Sequence, residues 1–312
     1  MKIKEILEYG KNNLIRKVAS PDVTNATHLD GQRKLNLFTS EKSEDFSFVI
    51  EKESPYKLSK MLLKHLLEVD ASYLIVNSDK DLELSVEKKF KEGIELLKNG
   101  MPLQYITNTQ EFMKLDFYVD SNVLIPQPDT EILVEEVLSI VGETNGKSVL
   151  DLCTGSGAIG VSIAKYTESL VTMSDISKNA LEIAKKNAIT NEVFDKCSFV
   201  LSDMFDNLEG KFDIIVSNPP YIKTKVIDIL DIEVQNEPKL ALDGGEDGLM
   251  FYRIIAENAY KYLNKDGALA LEIGYDQKEE VMALLEKTGK YTDIYSEKDF
   301  VNNDRIIVCK LK

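Results

Sequence analysis

The second half of the chain alternates short apolar runs with longer segments of helical periodicity. The predicted strands span residues 148–152, 170–174, 198–201, 212–216, 268–273 and 305–311. The predicted helices between them span residues 158–165, 178–190, 249–263 and 277–287. Strands that alternate with helices form a mostly parallel sheet covered on both faces, because each helix carries the chain back to the start of the next strand. The pattern predicts a Rossmann-like α/β domain over residues 123–312.

The first hundred residues show helical periodicity with one polar interruption. Apolar residues at helical spacing predict a helix in the first twenty residues, ending near Pro21, and further helices around residues 58–66 and 86–97. Residues 22–55 are rich in Asn, Thr, Ser, Lys and Glu and lack this spacing, so we interpret them as an extended insertion. The sequence therefore predicts a helical N-terminal domain over residues 1–100 that carries this insertion.

A short segment between the two regions has the alternation of a strand. Apolar and polar residues alternate from Leu115 to Val119, which predicts a strand, and Tyr105-Ile106 is its predicted partner in a hairpin. These segments predict a β-hairpin within residues 101–122, between the two regions.

Charge and composition restrict the ligands that the chain can take. The net charge is −15, from 53 acidic and 38 basic residues, and no basic run is present. A protein that binds long nucleic acid usually has a basic face, since neutralising phosphates supplies most of its affinity. The three cysteines form no C-x-x-C pair and only two histidines occur. We therefore expect a protein or small-molecule substrate, no stable nucleic-acid partner and no metal.

The chain also lacks the sequence features of an exported or membrane protein. No stretch approaches the roughly 18 consecutive apolar residues of a membrane span. The N-terminus, Met-Lys-Ile-Lys-Glu, continues into a mixed polar segment instead of the apolar core of a signal peptide. We expect a cytoplasmic protein with no membrane partner, and we expect a monomer.

A glycine-rich turn follows the first predicted strand of the α/β domain. Residues 149–160 read Val-Leu-Asp-Leu-Cys-Thr-Gly-Ser-Gly-Ala-Ile-Gly, a buried strand that continues into a turn and a helix. Glycines let the backbone approach a ligand closely, and the helix N-terminus offers free N–H groups to an anionic part of that ligand. Asp175 ends the next strand, where an acidic group can accept hydrogen bonds from both hydroxyls of a ribose. Together they predict a nucleoside-containing cofactor.

Asp151 favours one such cofactor over another. The glycines of the turn also fit the dinucleotide pattern G-x-G-x-x-G, in which a pyrophosphate binds the helix N-terminus. The Asp151 carboxylate would repel a pyrophosphate, but it suits the cationic amino group of S-adenosylmethionine, whose carboxylate would bind the N–H groups of the turn. Asp203 follows the third strand, where it can accept from the adenine amino group while Met204 packs on the ring. These residues favour S-adenosylmethionine.

The tetrapeptide Asn218-Pro219-Pro220-Tyr221 follows a buried strand, and ligands of open α/β sheets bind at that end of the strands. An amide or exocyclic amine nitrogen is a weak nucleophile, because its lone pair is delocalised. The Asn218 side-chain oxygen and the Pro219 carbonyl can accept its two N–H groups, which aims the lone pair at a methyl carbon and stabilises the developing positive charge. The prolines stiffen the segment, and Tyr221 would cover the planar group. The tetrapeptide predicts methylation of a planar nitrogen.

These motifs resemble the HemK/PrmC family, whose members methylate the glutamine of the Gly-Gly-Gln loop in class I peptide-chain release factors. The resemblance extends from about Gly100 to the C-terminus and is weaker in the N-terminal helices. It is carried by Asp175 and by residues 100–106, 111–112, 124–131, 151–160, 218–221, 237–238 and 247–249. Pro-Asp-Thr-Glu at residues 128–131 favours this family over adenine methyltransferases that share Asn-Pro-Pro-Tyr.

The resemblance implies a Rossmann-like, S-adenosylmethionine-dependent methyltransferase domain whose sheet is mostly parallel with an antiparallel last strand. A small helical domain that helps to hold the release factor and a β-hairpin linker would precede it, and S-adenosylhomocysteine would be the product. It adds the whole turn to the cofactor-binding set, which becomes Asp151, Cys153, Thr154, Gly155, Ser156, Gly157, Asp175, Asp203, Met204 and Asn218. It also places the substrate glutamine at Asn218, Pro219, Pro220 and Tyr221, with catalytic roles for Asn218, Pro219 and Tyr221. Gln127 departs from the family, which usually has Arg there.

Two other functions stay open on the sequence alone. A methyltransferase acting on the exocyclic amine of adenine or guanine in nucleic acid would share the tetrapeptide but should have a basic surface. A nicotinamide-dependent oxidoreductase would explain the glycine pattern but would leave Asn-Pro-Pro-Tyr without a role. Glutamine methylation accounts for both motifs and for the acidic net charge, so it is the function that we expect.

Overall fold

The computed structural model describes residues 1–15, 54–142, 146–299 and 301–312, with the backbone alone of residues 35–36 and 49–50. These residues form two compact units, Met1–Thr107 and Asn108–Lys312, each with its own buried core. The predicted insertion at residues 22–55 lies almost entirely outside the described residues. Across the described part of the chain, no helix has both the length and the apolar character needed to cross a membrane.

The first unit packs its helices around one apolar cluster. The helices are α1 (Ile3–Leu14), α2 (Pro55–Leu67), α3 (Ala71–Val76), α4 (Leu84–Lys98) and α5 (Leu103–Thr107), and a short antiparallel pair joins β1 (Leu35–Asn36) and β2 (Val49–Ile50). The residues at helical spacing point inward, and Ile6, Leu63 and Phe90 are fully buried. Helix α1 ends at Leu14, short of the predicted end near Pro21, and the remainder of that prediction lies outside the described residues.

The hairpin forms from a different pair of segments than the sequence predicted. Strand β3 (Gln110–Phe112) pairs antiparallel with β4 (Leu115–Phe117) through the two-residue turn 113–114. The prediction that residues 105–106 pair with this strand is wrong, because they lie in α5. The Pro102 carbonyl accepts both of their N–H groups, at 3.1 and 3.3 Å, so their backbone donors are used inside a helical turn.

The second unit is a seven-stranded sheet whose class agrees with the prediction. Its strands, in spatial order, are β10 (Tyr291–Lys298), β11 (Asp304–Leu311), β9 (Leu263–Glu272), β8 (Phe212–Ser217), β5 (Ser148–Leu152), β6 (Leu170–Asp175) and β7 (Cys197–Leu201). Strands β5 to β9 run parallel, while β11 pairs antiparallel with both β9 and β10. The mostly parallel sheet with an antiparallel last strand is therefore confirmed, and β10 is an additional strand that the sequence did not predict.

Helices cover both faces of this sheet. Helices α6 (Pro128–Val141), α7 (Ala158–Tyr166) and α8 (Lys178–Thr190) contribute to the apolar cluster on one face. Helices α11 (Met250–Tyr262) and α12 (Lys278–Thr288) contribute to the cluster on the other. Two short helices, α9 (Thr224–Ile227) and α10 (Ile232–Gln235), follow β8. Neighbouring residues of the strands are buried in opposite clusters, which explains their continuous apolar character.

The strand order reverses between β5 and β8. From β5 the chain proceeds to β6 and β7 on one side, and it then returns to place β8 on the other side of β5. The connections after β5 and β8 therefore leave in opposite directions and open a crevice at the carboxyl ends of the strands. The glycine turn follows β5 and the Asn-Pro-Pro-Tyr segment follows β8, so both motifs lie at this crevice.

Arg305 is a buried cation that connects α6 to the last strands of the sheet. Its Nη2 lies 3.2 Å from Oδ2 of Asp299 and 3.4 Å from Oδ2 of Asp129, and its Nη1 donates to the carbonyl of Ile273 at 3.4 Å. The side chains of Arg305 and Asp299 are both fully inaccessible to solvent. A buried charge is stable only with such partners, so this pairing holds the first turn of α6 beside the end of β9.

Replacing Arg305 with methionine tests this connection. Arg305→Met leaves the buried Asp299 carboxylate without its cation, so we expect the free energy of unfolding to fall by about 3–5 kcal/mol. Urea denaturation measures it. The matched control is Lys298→Met, which removes an exposed amine 3.8 Å from Asp304 and should cost less than about 1 kcal/mol. If both variants lost the same free energy of unfolding, this would contradict the role of the buried ion pair in holding α6 beside β9.

Candidate active site

A cavity of about 380 Å³ lies at the crevice between β5 and β8, within the range of about 300–1,000 Å³ that small-molecule sites occupy. Several predicted site residues line it together: Cys153, Thr154, Gly155, Ser156, Asp175, Asp203, Met204, Asn218 and Pro220. Asp151, Gly157, Pro219 and Tyr221 are not among its lining residues. The structure thus brings most of the predicted cofactor and substrate residues to one cavity.

Asp151 lies behind the glycine turn and supports it. Its Oδ2 accepts hydrogen bonds from the hydroxyl of Thr154 at 2.5 Å and from the N–H of Gly160 at 2.9 Å. Burial raises the pKa of Asp151 to about 7. Position 160 needs glycine because a Cβ there would lie 2.9 Å from this carboxylate. The predicted contact of Asp151 with a cationic amino group stays a prediction; within the described residues its Oδ1 is buried without a partner.

Asp175, the last residue of β6, holds the turn from the other side. Its Oδ2 accepts from the N–H of Gly155 at 2.9 Å, and its Oδ1 accepts from the N–H of Ser177 at 2.8 Å. Burial raises the pKa of Asp175, and these backbone hydrogen bonds oppose the rise. Each carboxylate oxygen can accept a second hydrogen bond, and Asp175 lines the cavity. The side chain can therefore accept from a ribose while it keeps the turn in place.

Two sulfur-containing residues form part of the cavity wall near the predicted adenine site. Sγ of Cys153 lies 3.8 Å from Sδ of Met204, and both residues have positive φ, +62° and +46°. The φ at Cys153 is one that glycine adopts without strain. Burial raises the pKa of the Cys153 thiol, so the residue fills space as a neutral group.

Asn218 is connected to a buried carboxylate that sequence reasoning missed. Its Nδ2 donates to Oγ1 of Thr130 at 3.2 Å, and the Thr130 hydroxyl donates to Oε2 of Glu272 at 2.6 Å. Oε1 of Glu272 accepts from the Tyr221 hydroxyl at 3.4 Å. Burial raises the pKa of Glu272 to about 7. An acid that ends the apolar run Ala-Leu-Ala-Leu-Glu, at the carboxyl end of a strand, is the sequence signal that could have identified it.

The backbone of the tetrapeptide is held as firmly as its side chains. Nε2 of Gln277 donates to the carbonyl of Tyr221 at 3.1 Å and to the carbonyl of Gly248 at 3.2 Å. A Cβ at Gly244 would lie 2.7 Å from Cα of Tyr221, so only glycine permits this approach. These contacts support the backbone of the segment, as the preorganisation of a positioned acceptor requires.

Other residues of the wall had no assigned role in the sequence prediction. They include Asn122, Val123, Leu124, Pro126, Gln127, Thr130, Pro238, Leu240, Ala241, Met250, Phe251 and Ile254. Glu237 connects two of these segments, because its Oε2 accepts from the N–H of Ile125 at 3.0 Å. Gln127, where the family usually has Arg, donates from Nε2 to the carbonyl of Ile125 at 2.9 Å. Its side chain thus stabilises the loop before α6 without contributing a charge.

The sequence matches the methyltransferase small domain over residues 127–301 and the PrmC N-terminal domain over residues 47–107. It is 44% identical over 256 residues to a release factor glutamine methyltransferase of Clostridium acetobutylicum. The aligned region covers 80% of this chain and 90% of that protein. The corresponding enzymes of Clostridium botulinum and Moorella thermoacetica are 39% and 38% identical, covering 81% and 82% of this chain and 90% and 92% of their own length.

The chain belongs to the HemK/PrmC family. Because HemK/PrmC proteins are S-adenosylmethionine-dependent methyltransferases, membership decides against the nicotinamide-dependent oxidoreductase. The residues present fit the methyl donor: Asp175 offers acceptors to a ribose, and the buried, unpartnered Oδ1 of Asp151 suits an ammonium group. Among the described residues, no group of three His, Cys, Asp or Glu side chains is arranged to hold a metal ion.

Asp175→Ala tests how this HemK/PrmC protein binds its cofactor. The substitution removes the predicted ribose acceptor and one support of the turn, so we expect the Kd for S-adenosylhomocysteine to rise roughly 10- to 100-fold. Isothermal titration calorimetry measures it, and NADH should show no binding. Asp195→Ala, which removes an exposed acid outside the cavity, is the matched control. An Asp175→Ala variant with unchanged affinity would remove this residue from the cofactor site.

Proposed function

We propose that the chain transfers the methyl group of S-adenosylmethionine to the side-chain amide nitrogen, N5, of the glutamine in the Gly-Gly-Gln motif of class I release factors, and so modulates translation termination. The names of the relatives support this substrate. The net charge of −15 supports a protein substrate over adenine or guanine in nucleic acid. We also propose that the protein acts in the cytoplasm as a monomer.

The orientation of the Asn218 side chain is the observation that carries the proposal. Its amide nitrogen donates to Thr130, while its Oδ1 receives no hydrogen bond from any described residue. Asn218 also lines the cavity, beside the turn that follows β5. A free acceptor in this position suits a substrate group that has N–H donors and a weakly nucleophilic nitrogen, which is the chemistry of a glutamine amide.

The residues of the tetrapeptide would then act by positioning and electrostatics. S-adenosylmethionine, when bound, supplies an electrophilic methyl group. Oδ1 of Asn218 and the carbonyl of Pro219 accept the two N–H groups of the glutamine amide, which orients the nitrogen lone pair and stabilises positive charge on the nitrogen. Tyr221 and Pro220 hold the planar amide in place. No strong base is required, because the nitrogen loses a proton readily once it is alkylated.

Asn218→Ala is the direct test of this mechanism. Loss of one preorganised acceptor should lower kcat roughly 10²–10³-fold, while the Kd for S-adenosylhomocysteine changes far less because Asp175 and the turn remain. Mass spectrometry of a release factor incubated with the enzyme and methyl donor gives the rate and the modified residue. The matched control is Asn264→Ala, which removes an amide that donates to Asp213 near the starts of β8 and β9. Near wild-type kcat in Asn218→Ala would contradict the mechanism, and activity on adenine alone would favour the nucleic-acid methyltransferase.

We further propose that the first unit, Met1–Thr107, contributes to release-factor binding and not to the chemical step. A chain that lacks residues 1–107 should bind S-adenosylhomocysteine with unchanged affinity and should methylate a folded release factor with a raised KM and a similar kcat. Steady-state kinetics with a release factor measures both. An unchanged KM would remove this unit from substrate recognition.

A further inference from the structure

When Glu272 is ionised, the hydrogen bonds between Asn218, Thr130 and Glu272 have only one consistent direction. Glu272 is 1% exposed and Thr130 is 5% exposed, so water does not compete with their contact. A carboxylate only accepts hydrogen bonds, whereas a hydroxyl has one proton to donate. Because the Thr130 proton is used on Oε2 of Glu272 at 2.6 Å, the Thr130 oxygen can only accept from Asn218.

This direction determines which end of the Asn218 carboxamide faces the substrate. The Thr130 oxygen binds the NH₂ end at 3.2 Å, so the oxygen end is turned away from Thr130. If Glu272 were protonated or replaced by an amide, the Thr130 proton could turn to Asn218 and bind the oxygen end. The NH₂ end of Asn218, which only donates, would then face the substrate amide in place of the oxygen end, which accepts.

We propose that Glu272 is a positioning residue for methyl transfer, which acts through Thr130 to keep the oxygen of the Asn218 carboxamide directed at the substrate amide. The proposal rests on the proposed function of the same site. Parallel pairing of β8 with β9 places Ser217 opposite Leu271. Asn218 is the residue after Ser217 and Glu272 is the residue after Leu271, so both stand at the carboxyl ends of neighbouring strands. The first turn of α6 brings Thr130 between them. Tyr221, the last residue of the tetrapeptide, donates to the other carboxylate oxygen.

The charged and titratable groups around Glu272 decide its ionisation. Burial raises the pKa of Glu272 to about 7, the hydrogen bonds from Thr130 and Tyr221 and the charge of Arg305 oppose the rise, and Asp129 adds to it. The Tyr252 hydroxyl donates to the main-chain carbonyl of Glu272 and not to its carboxylate. Since the ionised form orients Asn218, kcat should fall as the pH drops through this pKa and reach a plateau above it.

Substitutions at Thr130 test the proposal in the full-length protein. Thr130→Val keeps the shape and removes the hydroxyl, so kcat on a release factor at about pH 8.5 should fall roughly tenfold, the equivalent of one hydrogen bond. The KM for the release factor and the Kd for S-adenosylhomocysteine should stay unchanged, and Thr130→Ser should restore most of the rate. Thr172→Val, which removes the hydroxyl that pairs with Ser198, is the matched control.

The pH profile separates positioning from simple packing. Burial also raises the pKa of Asp151 to about 7. The fall in wild-type kcat at low pH can therefore arise from the carboxylate of Asp151 or from that of Glu272. Thr130→Val leaves the contacts of Asp151 intact. We expect both Thr130→Val and Glu272→Gln to abolish the fall in kcat at low pH. A Thr130→Val enzyme that has the wild-type kcat and the wild-type fall in kcat at low pH would overturn the proposal. Thermal denaturation confirms folding, and Thr130→Ser tests the hydroxyl if the valine variant does not fold.

A spectroscopic measurement keeps this test independent of the substrate. In protein labelled with ¹⁵N-asparagine, the carboxamide signals of Asn218 are those absent from Asn218→Ala. They should shift as the pH passes about 7 in the wild type and should not shift in Thr130→Val. If the Asn218 signals of the wild type do not shift, the proposed coupling of Glu272 to Asn218 is overturned even if a release factor is methylated. The expected shift in a protein that methylates no release factor would retain the coupling and reject the proposed substrate.

Discussion

The reversal of strand order at β5 is the constraint on which the rest of the structure depends. Because β6 and β8 lie on opposite sides of β5, the chain leaves the three strands in diverging directions and opens one crevice at their carboxyl ends. The glycine turn, Asp175 and Asn218 each stand at the end of one of these strands. Residues far apart in sequence therefore meet at one cavity, and the sheet sets their spacing.

Most of the second unit could be predicted because its central strands are buried on both faces and read as continuous apolar runs. The elements that were missed carry weaker signals. Strand β10 lies at the edge of the sheet and exposes polar residues along its length. The turn of the hairpin is Met113-Lys114, which adopts positive φ without the Gly or Asn that marks such turns in a sequence.

The residues predicted to contact ligands were easier to find than those that support them. Cys153, Asp175 and Asn218 lie in local motifs, and all of them line the cavity. Thr130 and Glu272 are 142 positions apart, and their hydrogen bond depends on how α6 packs against β9, which no local pattern records. The hydrogen bonds of the Asp151 side chain to Thr154 and Gly160 were equally hidden, because a strand buried on both faces gives no sign of where each side chain finds its partners.

The position of β11 in the sheet has a consequence for how the chain is made. A chain emerges from the ribosome starting with its N-terminus, so β9 and β10 appear before the strand that separates them. Until β11 arrives, β9 keeps an open edge and Arg305 is not yet available to Asp129 and Asp299. The first turn of α6, with Thr130, is therefore secured only after β11 has been made. A nascent chain that has already exposed both sequence motifs would still lack the ion pair that holds Thr130 beside the end of β9.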